Sequence, residues 1–402
     1  MILLKRQKKI QYKLLLLALA VLPLWRLGFR AFFLAGAVFA LLAIALWALA
    51  LQGAVSLVAV PGGMLAWHRH EMPFGFALAI IAGFLLTAVQ NWTGRPGLSG
   101  RPLIALFGLW LAARLAWFVP VPPAILIGLQ LAFVGLFIAQ MARQLINARQ
   151  RNNYPILLVL ALLALCQSLT LAGLAQGDDD LQRRGALAAL WLIAVLLSLI
   201  GGRVIPFFTQ RGLGRIEAFA PHPWQDRALL LGGVLAAALN ASGYGLQAQP
   251  WLATLFVGLA TLHGLRLWRW YLPGIWRVPL LWSLHLAYAW LLLAALGMAA
   301  WHLGWLPQAS LASHALAVGA MGGLILAMMA RVSVPGVPTA MPSAMVLAPT
   351  GCSVPLTALN MVGKRRVCTP TISISGLMAR AATAMPASML SASARTWAFG
   401  WE

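Results

Sequence analysis

Long apolar stretches recur along the chain about every 30 residues, each near the roughly 20 residues that an α-helix needs to cross a bilayer core. Short loops separate them, and the brief alternating segments of a membrane β-barrel are not visible. The pattern predicts an all-α fold, a polytopic transmembrane helix bundle with about ten spans. We place the spans at 31–51, 72–90, 103–119, 122–141, 154–175, 186–206, 228–246, 251–270, 279–303 and 311–331.

Composition supports a membrane protein and limits its partners. Of the 402 residues, 62% are hydrophobic and 9% are charged, whereas soluble domains carry roughly 25% charged residues. In a soluble protein the net charge of +22 would suggest nucleic acid, but here the basic residues lie in loops, where they set membrane topology. We therefore expect the lipid bilayer as partner and no nucleic acid.

The loops separate by charge and predict the orientation of the chain. Lys and Arg precede the first span and fill the second, fourth, sixth and eighth loops, whereas odd loops such as VPVPP and LQAQP carry none. One odd loop, GDDDLQRRG, combines two arginines with three aspartates. Positive charge is retained on the cytoplasmic side, so we expect the N-terminus and the even loops to face the cytoplasm. Residues 1–30 are predicted to form a basic interfacial segment.

Six of the seven histidines are predicted to lie at two depths. His68 and His70, in WHRHEM, lie at the outer mouth of the second span, and His302 and His314 flank the loop between spans nine and ten. His263 and His285 lie about seven residues, or roughly 10 Å, above the inner ends of adjacent helices. The seventh is placed in a cytoplasmic loop.

Polar groups inside a bilayer are costly and tend to mark function, and imidazole suits iron, copper and zinc. Each histidine also has a simpler interpretation, a hydrogen bond to a neighbour. His68 and His70 cannot share one helical face, so they converge only if Trp67 to Glu71 is extended. Three cysteines without CxxC spacing indicate neither a disulfide framework nor a thiolate metal site.

Two charged residues adjoin or enter the spans. Glu71 is interpreted either as a partner that orients a ligating imidazole, as a proton relay, or as a carboxylate favoured by a helix N-terminus. Arg114 is near the predicted outer end of the third span, and we expect its side chain to reach the headgroups.

Several stretches together resemble the NnrS family. They are PLWRLGFRAFFL, WHRHEMPFGFALAIIAGFLLTAVQNWTGRP, GGRVIPFFTQRGLGR, HGLRLWRW and HALAVGAMGGLILAMMARVS, spread over about residues 20–333. The resemblance implies a multi-pass bacterial inner-membrane protein of about twelve spans that contains haem and copper. It also implies a link to denitrification and to resistance against nitric oxide and nitrosative stress.

The resemblance implies metal ligands but does not divide the six histidines between the metals. His68 and His70 match the family's WHxHEM stretch, His263 its HGLR stretch and His314 its HALxxGAMGG stretch. Our hypothesis assigns copper to the outer histidines and haem to the inner pair. The copper ligands would be His68, His70, His302 and His314, and the haem ligands His263 and His285.

From Val334 the chain changes character and becomes rich in Pro, Ser, Thr and Ala. The family pattern would continue with about two further spans, which do not appear in 334–402. We interpret this tail as read out of frame after about Ser333, the alternative being a disordered cytoplasmic tail.

Three functions stay open at this point. The first is a haem- and copper-binding membrane protein of the nitric oxide response. The second is an oxidoreductase acting on nitric oxide, for which catalytic residues are unknown, and the third is a copper or other metal transporter.

Overall fold

The computed structural model describes residues 23–54, 60–215 and 219–333, and within them the chain is helical without a strand. The basic segment before residue 23 and the tail from Val334 lie outside the described residues. Ten helices follow one another, and each predicted span coincides with one of them. They are α1 (Gly28–Leu51), α2 (Gly63–Thr93), α3 (Arg101–Leu115), α4 (Pro123–Asn147), α5 (Tyr154–Gln176), α6 (Asp179–Gly212), α7 (Pro223–Ala241), α8 (Pro250–Trp270), α9 (Pro279–His302) and α10 (Ala309 to Ser333).

Eight of these ten described helices are long and apolar enough to cross a membrane. The other two are α3, with 15 residues, and α7, whose 19 residues include the polar Gln225, Asp226 and Arg227 near their start. The architecture is a polytopic helical bundle, as the apolar pattern predicts. Many leucines on its outer surface, including Leu41 and Leu42 of α1, are exposed and suit contact with lipid tails.

Consecutive helices pack side by side, above all α5 on α6, α6 on α7 and α8 on α9. Because short loops join them, they run antiparallel and the bundle has two ends. The basic end holds the loops after α2, α4, α6 and α8, and the opposite end holds the remaining loops and the three aspartates that begin α6. Helices α2 and α6 form the centre: 72% and 67% of their apolar stretches are buried, against 22% for α1.

Two helices contain π-helical segments. The segment of α2 follows the histidines of WHRHEM, and the segment of α10 follows His314. In α2 the α-helix Gly63–His70 continues as a π-helix over Glu71–Ala77 and returns to α-helix at Leu78. In α10 the π-segment is Ala315–Gly322, immediately after His314. Such segments are rare and occur frequently at functional sites.

The π-segment of α10 packs closely against α9 because it contains a glycine at the contact. A Cβ atom on Gly319 would lie within 2.6 Å of three atoms of the Trp290 ring. A small residue here lets the two helices approach, as small residues do in membrane bundles generally.

Candidate functional site

The WHRHEM stretch is helical throughout, and so its two histidines face different sides of α2. The helix already begins at Gly63, upstream of the predicted span, which places His70 about 10 Å inside the bundle. The His68 ring stacks on Trp47 of α1, with ring centroids 4.5 Å apart. His70 is fully buried on the inner side. The extended conformation that convergence of the two would require does not occur.

His70 belongs to a buried set of polar side chains that we call the closed network: His70, Glu71, Arg114, Trp117, Gln130 and Gln167. The carboxylate of Glu71 lies 2.8 Å from His70 Nδ1 and accepts a hydrogen bond of 2.7 Å from Trp117 Nε1. Its other oxygen forms an ion pair with Arg114 Nε at 2.7 Å. Both carboxylate oxygens are therefore engaged, as a buried charge requires.

The remaining donors of the closed network are also occupied. Arg114 donates to Gln130 Oε1 and to the main-chain carbonyl of Phe74, and Gln130 donates to the Ala113 carbonyl at 2.9 Å. The second ring nitrogen of His70 lies 3.5 Å from the amide of Gln167. Both His70 nitrogens thus face protein partners.

Two side chains of α3 contact the π-segment of α2. Trp110 Nε1 donates to the carbonyl of Gly75 at 2.9 Å, and Arg114 bonds the carbonyl of Phe74. Pro73 of this segment has no main-chain N–H to donate. Two side chains of α3 therefore donate to main-chain carbonyls of the π-segment and hold it against α3.

His68 and His314 lie close enough for their charges to interact. The Nδ1 atom of His314 is 2.7 Å from the Ser310 carbonyl, which can only accept, so this nitrogen carries the proton and Nε2 keeps a free lone pair. Nδ1 of His68 is buried without a hydrogen-bond partner in the described chain. Of the four outer histidines in the described chain, these two, on α2 and α10, interact electrostatically, and we call them the outer pair.

His302 is buried at the end of α9 in a form that does not suit metal binding. Its Nδ1 accepts a hydrogen bond of 3.1 Å from the main-chain N–H of Gln249. In a neutral imidazole the proton then lies on Nε2, and that atom is buried without a partner in the described residues. The ring also stacks on Phe256, which fixes it in place.

At the basic end, His263 belongs to a second polar cluster that we call the open cluster: Ser198, Asp226, His263, Arg266 and Tyr288. The Nδ1 atom of His263 lies 2.9 Å from the hydroxyl of Tyr288, and that hydroxyl accepts a hydrogen bond of 3.0 Å from Arg266 Nη1. Arg266 also donates to the main-chain carbonyl and the hydroxyl of Ser198 and pairs with Asp226. Arg266 is buried, but the Asp226 side chain is 51% exposed.

His285 lies on α9, one turn before Tyr288. Within the described residues it makes no hydrogen bond to a member of the open cluster. Its Nδ1 donates to the Leu281 carbonyl at 2.9 Å, while the buried Nε2 has no hydrogen-bond partner within the described part of the chain. The main-chain carbonyl group of Trp270 also interacts with the ring. His263 and His285 thus occupy similar depths but different surroundings.

No group of three or more His, Cys, Asp or Glu side chains that could hold a metal ion occurs among the described residues. The four outer histidines do not meet at one point, because His70 and His302 are each held by other partners. Metal binding at the six histidines stays a prediction, and within it His68 and His314 are the imidazoles best placed to act together.

The expectation for Arg114 is wrong, and the open cluster was missed apart from His263. Arg114 is 3% exposed and pairs with Glu71, because a buried carboxylate attracts the guanidinium more strongly than the distant headgroups do. The sequence signal that could have revealed the burial of Arg114 is its charge inside an apolar run. Tyr288 and Ser198 gave no such signal, since hydroxyl residues are common in spans.

Comparison with known proteins identifies the chain at the level of family. No curated protein and no solved structure matches it. The model of the NnrS family, described as NnrS protein, matches residues 23–401, a range that extends over the tail beyond the motifs quoted above. The chain therefore belongs to the NnrS family and is a membrane protein of the nitric oxide response.

Proposed function

We propose that this protein binds haem and copper within the bacterial inner membrane, with its N-terminus in the cytoplasm, and protects the cell during nitric oxide and nitrosative stress, including that of denitrification. The observation that carries the copper part is the His68–His314 pair. Family membership supports the haem part. Bound haem iron and copper would supply sites at which nitric oxide can bind.

The residues of the outer pair fit copper. Imidazole is a good copper ligand, and His314 presents Nε2 in the form with a free lone pair because Ser310 holds the proton on Nδ1. Stacking on Trp47 restrains the His68 ring, and its buried Nδ1 has no hydrogen bond with the described chain. A metal ion would provide the partner that this nitrogen lacks.

The two inner histidines, His263 and His285, differ in how well they fit haem. In the tautomer with its proton on Nδ1, His263 donates to the hydroxyl of Tyr288, and donation to such a partner orients a ligating imidazole. The Leu281 carbonyl holds the proton of His285 on Nδ1 and leaves Nε2 with its lone pair. We assign His263 as the first haem ligand and His285 as the second.

An apolar cavity of about 80 Å³ suits a small uncharged gas. It lies between α2, α6, α9 and α10, and its lining includes Ala77, Ile81, Ile205, Leu284 and Leu324. Nitric oxide is a small and weakly polar molecule, so the cavity can hold it within the same helices that carry the outer histidines.

The oxidoreductase alternative is less favoured by the structure. It would use Glu71 as a proton relay, but both oxygens of that carboxylate are bound by Trp117, His70 and Arg114. We therefore propose that Glu71 positions its neighbours. For the transport alternative, the outer pair would be a capture site for copper.

The experiment is metal analysis of the full chain purified from membranes in detergent, with haem read from its Soret band and copper from elemental mass spectrometry. We expect His68→Ala and His314→Ala to lose copper and to keep haem, and His263→Ala to lose haem. His302→Ala is the matched control and should keep both, because its Nδ1 is occupied by Gln249.

Two results would overturn the proposal. Copper content unchanged in both the His68→Ala and His314→Ala proteins removes the outer pair as its site, and absence of a Soret band in the wild-type protein removes haem. Growth under a nitric oxide donor links binding to protection. Cells carrying His68→Ala should then be more sensitive than cells carrying His302→Ala.

A further inference from the structure

A large cavity at the basic end is lined by five arginines. Its volume is about 860 Å³, and it lies among the starts of α5 and α7 and the ends of α6 and α8. The arginines are Arg203, Arg211, Arg227, Arg266 and Arg269. Among the described lining residues Asp226 is the only carboxylate, so the lining carries a formal excess of four positive charges.

Most of these guanidinium groups are held by partners that do not neutralise them. Arg203 donates to the Asn153 side chain at 2.5 Å, and Arg269 donates to Gln225 at 2.8 Å. Arg211 lies over the Phe207 ring at 5.3 Å. These contacts hold the guanidinium groups around one cavity without cancelling their positive charge.

Membrane topology alone does not explain why these arginines line one cavity. The tendency of arginine to face the cytoplasm requires only that the side chains lie in the loops, where each could reach water separately. Instead, residues from α6, α7 and α8 line one cavity, although like charges held together repel one another. The N-terminus of the 19-residue helix α7 also borders the cavity at His222 and Gln225, which adds a further favourable field for an anion.

We propose that this basic cavity binds a phosphate-bearing anion. The planar guanidinium group matches phosphate oxygens in a two-pronged geometry. The cavity volume is within the range of small-molecule sites. Basic pockets between helices on the cytoplasmic side commonly receive phospholipid headgroups, and a soluble polyphosphate presents the same chemistry.

The cavity is joined to the open cluster through Arg266. This side chain lines the cavity and also donates to Tyr288, whose hydroxyl meets His263. An anion bound at Arg266 would compete with Tyr288 and Asp226 for its N–H groups. Occupation of the cavity would thereby change the hydrogen bond that holds His263.

The test uses the full chain purified in detergent without phosphate. Two probes separate the sources of the ligand: inorganic pyrophosphate measured by calorimetry, and cardiolipin measured by native mass spectrometry after reconstitution in nanodiscs. The variants are Arg211→Gln and Arg227→Gln, singly and together, because both residues are exposed and buried Arg266 is needed for packing. The control is Arg277→Gln, an exposed arginine at the same end that does not line the cavity.

We expect the wild-type protein to bind at least one probe and the double variant to bind it at least about tenfold more weakly, because two charge-assisted contacts are lost. The control should bind like wild type. Binding of pyrophosphate indicates a soluble ligand, and binding of cardiolipin alone indicates a lipid. Failure of both probes, or equal loss in the control, would overturn the proposal.

A third result would also overturn it. If the variants lost haem while neither phosphate probe bound to the wild-type protein, the arginines would serve the haem carboxylates instead. None of the phosphate measurements depends on metal content, so failure here is distinguishable from failure of the haem and copper proposal.

Discussion

The closed network and the open cluster contain the same kinds of group in different settings. Each combines an arginine, a carboxylate, a histidine and an aromatic hydrogen-bonding group. Glu71 is fully buried with both oxygens bound, whereas the Asp226 side chain is half exposed at the edge of a cavity. The closed network therefore stabilises the join between α2 and α3, and the open cluster can still respond to a ligand.

The difference teaches which polar groups in a membrane bundle are available for binding. A buried charge with every partner in place is a structural element, and removing one partner leaves an uncompensated charge in a medium of low dielectric constant. A charge that water or an anion can reach has alternatives. Substitutions in the two regions should therefore differ in cost.

The largest effect is expected for Arg114→Met. It leaves Glu71 buried without its cation, and the free energy of unfolding should fall by about 3–5 kcal/mol. Titration with a denaturing detergent, followed by circular dichroism, measures this change. Arg95→Met, at an exposed loop position, is the matched control. The double variant Glu71→Gln/Arg114→Met should recover part of the loss, and a single variant as stable as the control would contradict the role of the pair.

An intermediate effect is expected for Tyr288→Phe. The change removes the hydroxyl that accepts from Arg266 and meets His263, leaving buried polar atoms unpaired at a cost of about 1–3 kcal/mol. The same unfolding titration measures it, with Tyr271→Phe, at an exposed tyrosine, as control. Equal stability of the two variants would indicate that the open cluster is not joined through this hydroxyl.

The smallest effect is expected for Asp226→Asn. This carboxylate is half exposed, and Arg266 keeps its hydrogen bonds to Ser198 and Tyr288 without it. Its loss should therefore cost only about 0.2–1 kcal/mol, well below the cost of Glu71→Gln. The two variants are compared directly by thermal unfolding in one detergent, with Asp180→Asn as a second exposed reference. If Asp226→Asn proved the more damaging, the distinction between closed and open regions would be wrong.

The helices themselves were predictable because each apolar run is long enough to decide its own environment. The helix ends were less predictable. Helix α2 begins at Gly63, upstream of the predicted span, because the WHRHEM stretch is itself helical. The contacts of its π-segment could not be predicted, because Trp110 and Arg114 are the side chains that bond the carbonyls of Gly75 and Phe74. Those partners belong to another helix.

The candidate site was predictable only in outline. Depth follows from counting residues along a helix, so His263 and His285 lie at similar levels near the basic end. Which imidazoles have a free nitrogen depends on single partner atoms, such as the Gln249 N–H that occupies His302 or the Ser310 carbonyl that orients His314. Nothing in the order of residues announces these contacts.

By itself, then, the amino-acid sequence determined the membrane bundle, the charge difference between its ends and the family. These are properties of segments, and they follow from adding the hydrophobicity and charge of residues one at a time. The tertiary structure alone decided that His68 and His314 interact electrostatically, that Arg114 is buried with Glu71, and that five arginines line one cavity. Such encounters depend on how each helix is rotated against its neighbours, which is set by packing among all of them together.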